Sequence, residues 1–118
     1  MLSRPQRAPY GFKSRFEDGA GTNPEELIGG AHAGCFTMAL SLILSEAGFT
    51  AEEMNTKAEI TLVKLDDGFA ITKSHLILRA KIPGLDDAKF KELAGMAEKN
   101  CPVSKLLKAE ITLDAALA

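Results

Sequence analysis

Residues 22–49 read TNPEELIGGAHAGCFTMALSLILSEAGF, and this stretch decides the fold. Thr22 or Asn23 can cap a helix N-terminus, Pro24 suits the first helical position, and Gly48 can end the helix. Between these signals, apolar residues occupy almost every face, which is typical of a helix that is enclosed on all sides. We therefore expect the helix to be covered by a second copy of the chain or by a sheet wrapped around it.

The rest of the chain is predicted to form an extended edge segment at 10–16, two paired strands, two shorter helices and a final strand. The strands show an alternation of apolar and polar residues, and the helices show helical spacing. The predicted strands are 57–65, 69–82 and 108–117, and the predicted helices are 86–99 and 102–107. An Asp66-Asp67-Gly68 turn joins the first two strands as a hairpin. We therefore predict a single α+β domain over 1–118, in which an antiparallel sheet packs around a long buried central helix.

The composition is that of a globular domain with few obvious macromolecular partners. The 118 residues are 46% hydrophobic and carry a net charge of −2, which argues against nucleic acid or an anionic membrane as the main partner. Residues 27–44 are uncharged and long enough to cross a membrane, but they contain a histidine and three glycines. We therefore favour a buried helix. The N-terminus has no apolar export signal, so we expect a cytoplasmic protein with reduced cysteines.

The two cysteines of the chain have different local settings. Cys101 precedes Pro102, which can open a short helix, so its thiol is expected beside a helix N-terminus that stabilises anions. Cys35 lies deep within the long helix, where the helix dipole has no effect and burial raises the pKa of a thiol. A reactive Cys35 would need a cation, and His32 and Arg15 are the candidates. The alternative is two buried thiols that act only as small hydrophobic side chains.

A metal site is a weaker interpretation of the same residues. His32 and Cys35 share a helical face and could bind zinc together with Cys101, but no fourth ligand or paired-cysteine motif is present. We favour a packed, hydrogen-bonded His32, and we expect no metal and no cofactor. Glu25 lies ten residues before Cys35, which is about 15 Å in an unbroken helix. Contact would require a helix break at glycines 29–30 or a bridging arginine; otherwise Glu25 is only a capping residue.

Several segments resemble the osmotically inducible OsmC branch of the OsmC/Ohr family of peroxiredoxin-like proteins. The segments are PYGFKSRFE, NPEELIGGAHAGCFTMALSLILSEAGF, GFAITK and CPVSKLLKAEITL. Together they extend from about Pro9 to Asp114. The His-Ala-Gly-Cys-Phe sequence around the first cysteine resembles the OsmC branch and differs from the Ohr branch.

The resemblance implies an intertwined homodimer that reduces organic hydroperoxides, and hydrogen peroxide less well. It implies that Cys35 is the peroxidatic thiolate, which becomes a sulfenic acid, and that Cys101 resolves it as an intramolecular disulfide. An external dithiol would then reduce the disulfide. It also implies that Arg15 holds the thiolate and polarises the peroxide, with Glu25 positioning Arg15.

The sequence departs from the family pattern at its N-terminus. Family members usually have extra strands ahead of the PYGF-like segment, whereas eight residues precede it here. We therefore expect the N-terminal strands of the sheet to be shortened. The alternative function is a structural or ligand-binding dimer of the same fold that has lost activity through this shortening, and a zinc-binding module is the third hypothesis.

Overall fold

The structure is a computed structural model that describes residues 23–118. In chain order the elements are α1 (Pro24–Glu46), β1 (Glu53–Leu65), β2 (Gly68–Lys81), α2 (Asp87–Asn100), α3 (Pro102–Leu106) and β3 (Glu110–Leu117). The strands form a sheet in the order β1-β2-β3. The predicted α+β class is confirmed, and each element predicted within residues 23–118 is present with its ends shifted by a few residues. The expected extended segment at 10–16 and the shortened N-terminal strands lie outside the described residues.

Both ends of α1 are closed by the capping groups that the sequence predicts. The Asn23 side chain accepts a hydrogen bond from the Glu26 backbone N–H at 2.9 Å, and the Glu26 carboxylate accepts one from the Asn23 backbone N–H at 3.3 Å. At the other end, Gly48 has a φ of +89°, and the Phe49 N–H donates to the Leu44 carbonyl at 2.8 Å. The helix limits are therefore set by local sequence.

Helix α1 is continuous through its paired glycines, so the helix break considered at 29–30 does not occur. Gly29 has a packing role, because a Cβ there would lie 3.2 Å from the Ala58 carbonyl oxygen and 3.2 Å from Ile60 Cγ1. The absence of a side chain thus allows the N-terminal half of α1 to lie directly against β1.

The sheet contains one antiparallel and one parallel pair of strands. β1 and β2 form a hairpin from Glu53 opposite Lys81 to Leu65 opposite Gly68, whereas β3 runs parallel to β2 on its other side. The antiparallel sheet that we expected is therefore present for β1–β2 and absent for β2–β3. The reason is the connection: α2 and α3 lie between β2 and β3, and such a crossover brings the chain back to the end where β2 began.

One face of α1 packs against β1 and α2, and its buried side chains join those of β2 in the core. The fully buried apolar side chains of these elements are Phe36, Leu40 and Leu44 of α1, Leu76, Leu78 and Ala80 of β2, and Phe90, Ala94 and Ala97 of α2. The three from α1 recur every four residues and so lie on one side of the helix. The opposite face of the sheet is polar and carries the exposed Arg79–Asp114 ion pair, at 3.2 Å.

The other face of α1 is uncovered in the part of the chain that the structure describes. Met38 is 75% exposed and Leu42 61% exposed, and Gly30 and Gly34 lie along the same exposed side. The sheet therefore encloses α1 on one side only. By length and composition α1 could cross a membrane, but 33% of its most apolar window is buried inside the fold, and core helices of soluble proteins satisfy the same criterion.

Candidate functional site

The two cysteines meet where α1 passes the beginning of α3. Cys35 is half-buried on α1, and Cys101 is fully buried between α2 and α3. Cys101 ends α2 and precedes Pro102 in an extended conformation, with φ −64° and ψ 121°, as a residue before proline favours. Both thiols are free, and they are neighbours, since the Cys101 thiol acts directly on the pKa of Cys35. The structure thus brings together the two cysteines that the sequence singles out.

The environment of Cys35 is only partly favourable to a thiolate. Burial is the largest effect and raises the pKa of the Cys35 thiol. A hydrogen bond from the Val103 backbone N–H lowers this pKa, and the neighbouring Cys101 thiol raises it further. The net result is a raised pKa. Val103 lies in the first turn of α3, where backbone N–H groups have no partner within the helix. Sequence reasoning missed this donor, although the Cys-Pro start of α3 predicts free N–H groups near Cys101.

His32 is held by hydroxyl groups on both sides. Its Nδ1 lies 2.7 Å from Ser74 Oγ of β2, and its Nε2 lies 2.7 Å from Ser104 Oγ of α3. Burial lowers the pKa of His32, so the ring is neutral near pH 7. The prediction of a packed, hydrogen-bonded histidine is confirmed. A neutral ring with both nitrogens engaged cannot supply the cation that Cys35 needs, which leaves Arg15 as the candidate.

The same two hydrogen bonds argue against His32 as a zinc ligand. Both imidazole nitrogens of His32 are occupied by serine hydroxyls, so neither is available to a metal. Within residues 23–118, no group of three or more His, Cys, Asp or Glu side chains is placed to hold a metal ion.

The structure separates Glu25 from Cys35 within one chain. Glu25 lies in the first turn of α1 and lines a cavity of about 250 Å³, whose other wall is formed by Ala58, Ile60 and Leu62 of β1. Because α1 is unbroken, ten residues place Glu25 about 15 Å from Cys35 along the helix axis. Arg15 lies outside the described residues. Of the four predicted site residues, the structure therefore brings two together, the cysteines.

The chain matches one family model and is similar to several known proteins. Residues 17–116 match the family model described as OsmC-like protein. The chain is 58% identical to peroxiredoxin OsmC of Escherichia coli strain K12 over 106 residues, which is 90% of this chain and 74% of that protein. Among solved structures, it is similar to a putative redox protein of Lactobacillus casei (TM-score 0.74, 26% identity, 89% of this chain and 73% of that one). It is also similar to the organic hydroperoxide resistance protein OhrB of Bacillus subtilis (TM-score 0.69, 28% identity, 86% and 73%).

The two serines that hold His32 are expected to differ in their contribution to stability. Ser74→Ala should lower the free energy of unfolding by about 1–3 kcal/mol, because it leaves Nδ1 of a buried ring without a partner. Ser104→Ala should cost less than about 1 kcal/mol, because Ser104 is only half-buried and water can replace its hydroxyl. Urea unfolding at equal protein concentration measures both values. Equal losses for the two variants would contradict this account of the histidine.

Proposed function

The chain belongs to the OsmC family, and we propose that it is a thiol-dependent peroxidase that reduces organic hydroperoxides. The contact between the Cys35 and Cys101 thiols is the observation that carries the proposal. A relative with 58% identity is named a peroxiredoxin, and OhrB is named for resistance to organic hydroperoxides. The alternative, an inactive structural dimer, offers no reason for two reduced thiols to be held together in a largely apolar site.

The proposed reaction uses the two cysteines in sequence. The Cys35 thiolate attacks the O–O bond of the hydroperoxide, so that an S–O bond forms, the O–O bond breaks and the alkoxide leaves as the alcohol. The Cys101 thiol then attacks the sulfur of the Cys35 sulfenic acid, an S–S bond forms and water leaves. An external dithiol reduces this disulfide by two exchange steps. The apolar residues around Cys35 favour alkyl hydroperoxides over hydrogen peroxide.

The proposal requires a cation at Cys35, since burial raises the pKa of this thiol. We assign this role to Arg15, and we assign to Glu25 the role of holding its guanidinium. An arginine bound at Glu25 would be too far from Cys35 on the same helix, given the separation of about 15 Å. We therefore place the Arg15–Glu25 pair at Cys35 of a second copy, across a dimer interface.

We propose a homodimer that buries the uncovered face of α1. This face combines Met38 and Leu42 with the glycines at 30 and 34, and α1 carries no charged residue between Glu26 and Glu46. Homodimer interfaces are apolar, and small residues permit close approach of two helices. We therefore propose that a second copy of the chain covers this face of α1. The alternative is that the first 22 residues of the chain cover it.

We further propose that residues 1–118 form one OsmC-like domain that works in the cytoplasm. Two free cysteines suit a reducing compartment, because thiols are kept reduced there. The net charge of −2 gives no attraction to nucleic acid or to an anionic membrane. The partners we propose are the hydroperoxide, the dithiol reductant and the second copy.

Cysteine variants test the reaction. Cys35→Ser should abolish consumption of an alkyl hydroperoxide, because the attacking sulfur is lost. Cys101→Ser should allow a single turnover that stops with an oxidised Cys35, which mass spectrometry detects as a sulfenic acid adduct of dimedone. One equivalent of hydroperoxide should remove both free thiols of the wild-type chain and none of Cys35→Ser. Unchanged turnover in Cys35→Ser would refute the proposal.

Charge variants test the activation of Cys35. In a Cys101→Ser background, Arg15→Met should move the pH dependence of Cys35 alkylation to higher pH, because loss of a cation raises the pKa of a thiol. The rate at neutral pH should fall at least about tenfold, the lower end of the effect of a neighbouring opposite charge. Arg15→Lys should retain part of the rate.

A matched pair of acid variants completes this experiment. Glu25→Gln should lower peroxidase turnover more than Glu26→Gln, which removes the same charge one residue further along the helix and weakens the helix cap. An identical pH profile in wild type and Arg15→Met would exclude Arg15 as the activating cation.

The assembly is tested by placing a charge on the uncovered face of α1. Met38→Glu should convert the dimer to a species with the mass of one chain, because a charge cannot be buried in this interface without a partner. Met96→Glu is the matched control, since Met96 is also partly exposed but lies on α2. Light scattering after gel filtration measures the mass. If Met38→Glu remains dimeric, the first 22 residues become the better candidate for covering this face.

A further inference from the structure

A bridge of three side chains joins the elements that carry the two cysteines. It consists of Ser74 of β2, His32 of α1 and Ser104 of α3, and both of its hydrogen bonds are 2.7 Å long. We call it the His32 bridge. Two of its residues lie close in sequence to the cysteines. His32 lies three residues before Cys35 on α1, and Ser104 lies three residues after Cys101 on α3. The bridge therefore runs alongside the thiol pair.

Helix α3 depends on such contacts for its position. It has five residues and no fully buried side chain, and Val103 is its one apolar residue that packs, half-buried, against the core. A helix of this length is unstable without tertiary support. Its own backbone bonds, such as Lys105 N–H to the Cys101 carbonyl at 3.1 Å, shape the turn but do not fix it to the rest of the fold. Within residues 23–118, two α1 side chains form hydrogen bonds with α3. Cys35 bonds to the Val103 backbone, and His32 bonds to the Ser104 side chain.

The anchor of the bridge is rigid. Ser74 is fully buried on the core side of β2, and His32 is fully buried on α1. Ser74 Oγ holds one ring nitrogen, so the imidazole presents the other to α3 in a fixed direction. Because both nitrogens are engaged by hydroxyls, the ring has no free site for exchanging a proton with Cys35. Its role is one of position.

We propose that His32 is a positioning residue for disulfide formation, which through Ser104 holds α3 so that the Cys101 sulfur stays at Cys35. The inference rests on the proposed pairing of the two thiols. Keeping two reacting groups in place gives a high effective concentration for the second step. It also leaves less time for a second hydroperoxide to convert the Cys35 sulfenic acid to sulfinic acid.

An aromatic disulfide tests the bridge without any peroxide. With 5,5′-dithiobis(2-nitrobenzoate), the Cys35 thiolate attacks one sulfur, a mixed disulfide forms and one thionitrobenzoate leaves. The Cys101 thiolate then attacks the Cys35 sulfur, the protein disulfide forms and a second thionitrobenzoate leaves. Absorbance at the thionitrobenzoate band follows both releases, and Cys101→Ser, which releases only the first, identifies them.

The expected result concerns the ratio of the second rate to the first. In Ser104→Ala this ratio should fall about two- to fivefold, the effect of one weak, part-buried hydrogen bond. Ser104→Thr keeps the hydroxyl and should restore the ratio. Lys105→Ala, at an exposed position on α3, is the control for general loosening of this helix and should keep the wild-type ratio. With excess alkyl hydroperoxide, Ser104→Ala should also accumulate more Cys35 sulfinic acid than the wild type.

Two outcomes would overturn the inference: a wild-type ratio in Ser104→Ala, or a ratio in Ser104→Thr as low as that of Ser104→Ala. Circular dichroism of each variant confirms that it is folded. The assay also separates this inference from the proposed activity. A wild-type chain that closes its disulfide in this assay but consumes no organic hydroperoxide would refute the peroxidase proposal and leave the bridge intact.

Discussion

The packing of α1 against the β1–β2 hairpin and α2 is the constraint on which the rest of the structure depends. Burial of a single side chain such as Phe36 or Leu40 is worth about 1.5–3 kcal/mol, so the helix cannot rotate or slide without a large loss. Cys35 directly precedes Phe36 and is fixed by this packing. The same burial disfavours a thiolate and raises the pKa of the thiol. The core therefore places the sulfur, and groups outside α1 must make it reactive.

The groups that could make Cys35 reactive come from two different parts of the chain. The Val103 N–H is provided by α3 and acts on Cys35 directly, whereas Arg15 is our proposal for the full charge that the site requires. Helix α3 must also be able to move slightly. The two sulfur atoms have to approach to about 2.05 Å to form a bond. A short helix with no fully buried side chain can make this small movement, and the His32 bridge limits how far it moves.

Local sequence signals predicted the features that depend on neighbouring residues. The caps of α1, the hairpin and the extended Cys101 before α3 follow from Asn23, Gly68 and Pro102. The parallel direction of β3 was not predictable in this way, because alternation of apolar residues is the same for both directions of a strand. The partners of His32 were also missed, since Ser74 and Ser104 are ordinary polar residues whose importance arises only in three dimensions. The roles of Arg15 and Glu25 remain predictions from the family resemblance.

The crossover from β2 to β3 has a consequence for the order in which this protein assembles during synthesis. Cys35 and the β1–β2 hairpin are made early, and their contacts are between segments close in sequence. Cys101 lies within the crossover, which is made later and is closed at its far end when β3 pairs with β2. Contacts between distant segments form slowly, because the intervening chain must first be closed into a loop. A nascent chain thus carries Cys35 for a time without its resolving partner, and a sulfenic acid formed in this interval has no second cysteine to convert it to a disulfide.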